Sequence, residues 1–237
     1  MNRLKNTFNL IYNLANYNMK IIFANRFLIF MIVSVVIFLL FAVFDVLDPT
    51  ETSEVTDVYY ILLFIGIILI FYPTVFGIQT DVDARTIELL FGIPNYRYKV
   101  WLIRLVNIYI LIFGITLLLS LLSTIIFVPV NILEMSFQLM FPIFFLGALA
   151  FMFASLIRNG YGTAAIVVII ILGIWFSMGF LYESKWNVFL NPFYVPSDID
   201  PMIWFELVFY NRLYLLVGTI ISILMGLFNL QKRERYI

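Results

Sequence analysis

Apolar residues fall into six long runs, at 27–44, 58–76, 105–128, 137–157, 163–182 and 213–230, each set off from the next by a polar break. A hydrocarbon core about 30 Å thick takes roughly 20 helical residues to cross, so each run has the length of a span. The runs are apolar on every face: 27–40 is interrupted only by Ser34. A membrane barrel would instead need short strands of alternating polarity, and a helix in lipid satisfies its own backbone. The pattern predicts an all-α integral membrane protein with six transmembrane helices. Ahead of the first run, Leu4, Phe8, Ile11, Ala15 and Ile22 recur at helical spacing opposite Asn6, Asn9, Asn13 and Lys20. That periodicity predicts an amphipathic helix over 1–26, basic and free of acids, lying in the membrane interface; a solvated leader is the plainer alternative.

Composition agrees. Of 237 residues, 64% are hydrophobic and 12% charged, where a soluble domain is apolar over roughly half its length. Fourteen basic residues balance 14 acidic ones, which leaves no cationic excess for nucleic acid and predicts none as a partner. Histidine and cysteine are absent, so disulfides, thiol nucleophiles, imidazole bases and zinc sites built on those ligands are excluded. No small-residue cleavage site follows the N-terminal region, so no removable signal peptide is expected.

The charges also set an orientation, because Lys and Arg near span ends are retained on the cytoplasmic side. With both termini inside, 12 basic residues face the cytoplasm and only Lys185 and Arg212 face out. Ten of the 14 acids then lie outside, including Asp45, Asp48, Glu51, Glu54 and Asp57 in the first outer loop. The expected location is a cell membrane, multi-pass, with membrane lipid as solvent and partner.

The longest inner connection, 77–104, carries the most information. Thr80 or Asp81 is placed to cap a short helix with acids in its first turn, and Gly92 with Pro94 ends it near Phe91. Val82, Ile87, Leu90 and Phe91 give this helix an apolar side; Asp83, Arg85, Thr86 and Glu88 give a polar one. On composition alone it suits docking to a soluble partner and resting on lipid headgroups equally well. Arg97, Lys99 and Arg104 follow it into the third span.

Six spans, an N-terminal interfacial helix, Thr86-Ile87-Glu88-Leu89-Leu90, then Pro94 and a basic stretch together resemble the permease subunits of type 2 ATP-binding-cassette (ABC) exporters. Arg85 stands where members of that family carry a glycine. The resemblance in topology covers nearly the whole chain, and the residue motif covers about 25 positions.

The resemblance implies that the 77–104 segment couples to a separate ATPase subunit, which binds ATP and Mg. Glu88 would face that partner, with Asp83, Arg85 and Thr86 beside it and Leu89 and Leu90 as apolar anchors. Arg158, in the short connection between spans four and five, would add a smaller contact, unless that connection is simply a tight turn with a positive-inside anchor. The resemblance further implies a re-entrant helical pair over the outer segment 183–212, ahead of the last span at 213–230 and a tail at 231–237. Trp186, Phe193, Tyr194, Trp204 and Phe205 would form an outer gate there, or on the simpler reading an aromatic interfacial belt.

No Asp, Glu, Lys or Arg falls in the middle of a run, whereas proton and ion relays use such groups. Ser and Thr within the runs serve helix-to-helix bonding more often than a pathway. No phosphate-binding Gly-x-x-x-x-Gly-Lys-Ser/Thr sequence occurs, so no enzyme activity and no cofactor are expected in this chain. Six spans are half the complement such exporters use, which implies a second permease copy or a related permease as partner. The expectation is a permease that moves an amphipathic or hydrophobic substrate outward by alternating access. The alternative is a non-transporting membrane scaffold, sensor or immunity subunit using the same inner helix.

Overall fold

The computed structural model describes residues 27–47, 54–83, 97–157 and 159–230. The predicted interfacial helix at 1–26, the segment 84–96, Arg158 and the tail at 231–237 lie outside them. Six helices follow in order: α1 (Phe27–Leu47), α2 (Val55–Asp83), α3 (Ile103–Ile126), α4 (Ile132–Ile157), α5 (Gly160–Ser177) and α6 (Pro201–Asn229). A π-helical turn, Arg97–Leu102, leads into α3, and no strand occurs among the described residues. Five helices, α2 to α6, are long and apolar enough to cross a membrane, and α1 adds a shorter apolar stretch, Leu28–Phe44. The chain is therefore an all-α membrane protein.

Local sequence sets where the helices begin. Glu54 donates its amide to Asp57 Oδ2 at 2.9 Å ahead of α2. Asn131 and Glu134 bond reciprocally ahead of α4. Asn159 accepts from the amides of Tyr161 and Gly162 at the start of α5. Asp200 caps α6, with Pro201 in its first turn, a position where proline's missing N–H costs nothing. Proline also stands inside two helices, Pro73 in α2 and Pro142 in α4. Next to Pro73, the Thr74 hydroxyl donates back to the Ile70 carbonyl at 2.6 Å, which keeps this polar side chain satisfied within its own helix.

α4 is the central helix, packed on α2, α3, α5 and α6, with its broadest contacts to α6 and α2. Lipid is as apolar as leucine, so close packing rather than water exclusion holds such helices together. Glycines supply the approach: a Cβ on Gly226 of α6 would sit 2.6 Å from the Phe151 ring of α4. Gly226→Ala is therefore expected to lower stability by about 1–3 kcal/mol through overpacking. Gly114, with open space where its Cβ would be, serves as the control. Thermal unfolding of both variants in one detergent checks this: Gly114→Ala should match or exceed the parent, since alanine favours helix.

Helix ends gather in two sets, called upper and lower here. The upper set holds the starts of α2, α4 and α6 together with 178–200. The lower set holds the ends of α2, α4 and α6 and the starts of α3 and α5.

Two expectations about boundaries are corrected. α2 does not stop near residue 76 but continues to Asp83. Thr80, expected as a cap, is inside it and donates to the Phe76 carbonyl at 2.9 Å, and Asp81 is buried in the bundle. Asp83 is thus the last residue of a spanning helix rather than part of a separate short one. Likewise 201–212 is not an outer re-entrant element but the first three turns of the 29-residue α6. Among the described residues, 178–200 holds turns and no helix, so no helical pair forms there. In both places polar side chains find partners inside the bundle, and the helix runs on past the apolar run that marked it.

Candidate functional site

At the lower end, the two helices that flank residues 84–96 are joined by an ion pair. Arg104, in the first turn of α3, donates from Nη1 to Asp81 Oδ2 at 2.8 Å and from Nη2 to Asp81 Oδ1 at 3.4 Å. Both side chains are buried. The guanidinium also lies 4.7 Å from the centre of the Trp101 ring, which in turn packs on Phe151 of α4. Fork-to-fork geometry of this kind fixes orientation as well as distance. Nearby, Gln79 Oε1 accepts from the Gly160 amide, tying the end of α2 to the start of α5. Asn229 Nδ2 donates to Ser155 Oγ at 3.3 Å, tying α6 to α4. Polar contacts thus tie the lower end of α2 to α3 and α5 and that of α6 to α4.

At the upper end a second centre forms around Arg212 in the third turn of α6. It is 6% exposed. Its Nε donates to Gln138 Oε1 of α4 at 2.8 Å, Nη1 to Asn211 Oδ1 at 2.9 Å, and Nη2 to the Leu190 carbonyl at 3.1 Å, with Tyr59 Oη of α2 at 3.5 Å. Tyr59 donates to the same carbonyl at 3.1 Å. Asn211 Nδ2 donates to the carbonyls of Lys185 and Asn187, and Asn191 Nδ2 reaches the Thr56 carbonyl. One cation, held among the described residues by neutral oxygens alone, therefore staples 178–200 across α2, α4 and α6. Asn187 and Asn191 each accept from the amide two residues on, shaping the turns that bury Phe189 and Leu190.

The residues expected at the two sites fall as follows. Asp83 is exposed at the end of α2. Arg85, Thr86, Glu88, Leu89, Leu90 and Arg158 lie outside the described residues. Of the outer aromatics, Phe193 is half-buried 5.9 Å from the Tyr59 ring, and Trp204 is buried against Leu190 and Val208, so both abut the Arg212 centre. Trp186 stacks on Tyr214 at 4.5 Å, and Tyr194 lies edge-on to Tyr182. Phe205 is 73% exposed. The five do not gather into a single group.

The sequence reading missed Arg212, Asn211, Tyr59 and Gln138, and assigned Arg212 to an outer loop. The signal was present: Asp200-Pro201 is a helix start, and it places Arg212 within a helix rather than before one. Among the described residues, no three Asp or Glu cluster to hold a metal ion. Neither centre offers a nucleophile beside a base; their chemistry is to fix one helix relative to another. Comparisons with protein-family models, with curated proteins and with solved structures find no match to this chain.

Proposed function

We propose that this chain is the membrane-spanning permease subunit of an ATP-driven ABC exporter. It moves an amphipathic or hydrophobic substrate outward by alternating access, powered by a separate ATPase subunit that holds ATP and Mg. It works beside a second permease copy or a related permease in the cell membrane, with both termini, and the lower end, on the cytoplasmic side.

The observation that carries this reading is the Arg104–Asp81 pair. Residues 84–96, which include Glu88, Leu89 and Leu90, connect two helices whose ends are clamped to each other. A push on that segment by a soluble partner therefore reaches α2 and α3 as one unit, and through Trp101 and Phe151 it reaches the central α4. The rest of the support is the six-helix architecture and the concentration of basic residues at this end.

The test is purification from native membranes with the ATPase, comparing the parent with a Glu88→Lys, Leu89→Asp variant. The expected result is loss of both the ATPase from the complex and the hydrolysis that permease binding stimulates. Full stimulation in the variant would overturn the coupling role. ATP-dependent uptake of a hydrophobic dye into inverted vesicles separates transport from a scaffold, sensor or immunity role, which predicts binding without uptake.

A further inference from the structure

Packing around α2 is uneven. Toward α4 it is so tight that a Cβ on Gly66 would overlap the Ile143 side chain, and one on Gly147 would come within 2.5 Å of Ile70 Cγ1. Between α1 and α5 the opposite holds. Ile67, Ile68 and Phe71 of α2 form the floor of a cleft of 230 Å³, walled by Phe30 of α1 and by Val168, Ile171 and Leu172 of α5.

The cleft follows from how α5 is attached. Its buried residues are Gly160, Thr163 and Val167, all in its first half. Beyond them Val168, Ile169, Leu172, Trp175 and Phe176 stand exposed. In the upper half Ile171 and Ile174 still meet the core and Trp175 meets Phe189, but the side of α5 that carries Val168 and Leu172 leaves a gap beside α2 that no side chain fills.

The chemistry of the gap selects its occupant. No accessible polar atom lines it, so water or a polar ligand would find no hydrogen-bond partner there. A packed helix, about 10 Å across with its side chains, needs contact over several turns, far more than these seven residues offer. An unfilled gap forfeits the dispersion contacts of its lining. Residues 67–71 occupy the thirteenth to seventeenth positions of the 29-residue α2, the middle of a helix long enough to cross the bilayer, where the surrounding medium is hydrocarbon chain. We propose that this cleft is an acyl-chain site, in which one chain of a membrane lipid lies along residues 67–71 of α2 between Phe30 and the Val168, Leu172 wall. The inference goes beyond the exporter reading and does not rest on it, since a transporting and a non-transporting protein would hold the chain alike.

The experiment places the full-length protein in nanodiscs of phosphatidylcholine doped with a phosphatidylcholine that carries a mid-chain diazirine. Illumination is followed by peptide mass spectrometry. Ile169 is the internal control: it sits on the same helix at the same depth and is 67% exposed, against 42% for Val168 and 48% for Leu172. Random contact with bulk lipid would label Ile169 most. A held chain reverses the order, with Val168 and Leu172 labelled about tenfold above Ile169, the ratio that about 1.4 kcal/mol of preferential occupancy gives. Filling the cleft with Leu172→Trp, or from the floor with Ile68→Trp, should return Val168 to the level of Ile169. Labelling of Ile169 equal to or above Val168 in the parent would overturn the proposal, and that comparison needs no variant to fold. A disulfide between two copies carrying Leu172→Cys would overturn it too, by assigning the cleft to a contact between copies.

Discussion

Replacing Arg212 with alanine is expected to lower stability by about 3 kcal/mol and to release residues 187–193 from the helix tops. The change leaves the side-chain carbonyls of Gln138 and Asn211 without the guanidinium. Asn211 is buried, where an acceptor left without its donor costs about 1–3 kcal/mol, while the half-buried Gln138 loses less. Leu190 fares better, because Tyr59 still donates to its carbonyl. Removing the charge also relieves its own desolvation, which holds the total below the sum of the lost bonds. Arg212→Lys should recover only part of the loss, since one ammonium on a flexible stem cannot reach three elements as a planar fork does. Thermal unfolding in detergent gives the first number, and hydrogen exchange gives the second. Amides of Phe189, Leu190 and Phe193 should exchange faster in Arg212→Ala, while those around Ile112 in the middle of α3 stay protected. Unchanged protection over 187–193 would mean that the turns and the buried Phe189 and Leu190 hold this segment without the cation.

The six helices were legible in the sequence because each is announced by an apolar run, and a run apolar on all sides has no stable place except lipid. The places where the reading fell short share one physical cause. Asp81 and Arg104 are 23 positions apart, and Arg212 and Gln138 are 74 apart. Read locally, Asp81 is a helix cap, Arg104 and Arg212 stand just ahead of a span and Gln138 carries no signal; read in the fold, each has its partner on another helix. That pairing lets α2 run on to Asp83 and lets α6 start at Pro201. Start signals were more telling than hydropathy at α6, where Asp200 and Pro201 mark the helix start that the run beginning at 213 concealed. The aromatics of 183–205 were legible as a group by type but not by placement. Trp204 is buried while Phe205, its neighbour along the helix, points away, because successive residues on a helix lie on different faces.

The Arg104–Asp81 pair offers a way to separate holding the fold from passing on a movement. Asp81→Asn takes the carboxylate away from a buried cation and is expected to cost about 3–5 kcal/mol, as is typical when one partner of a buried pair is removed. Arg104→Met takes the guanidinium away from Asp81 and should cost a similar amount. The pair replaced together, Asp81→Leu with Arg104→Met, should lie far closer to the parent than either single change, because apolar residues of similar volume often match or exceed a buried ion pair in stability. These variants, Asp81→Leu alone and the parent close a thermodynamic cycle whose coupling energy, read from unfolding midpoints in detergent, should be large and should favour the intact pair. The double variant then isolates the mechanical role. On the exporter reading proposed above, with the clamp carrying force from residues 84–96 into α2 and α3, a protein with a normal midpoint should still bind the proposed ATPase subunit yet lose most ATP-driven transport. Apolar contacts between the two replacement side chains lack the two-point geometry that fixes the helix ends against twisting. Normal stability with normal transport in the double variant would remove the pair from the coupling route and leave it as a packing device alone.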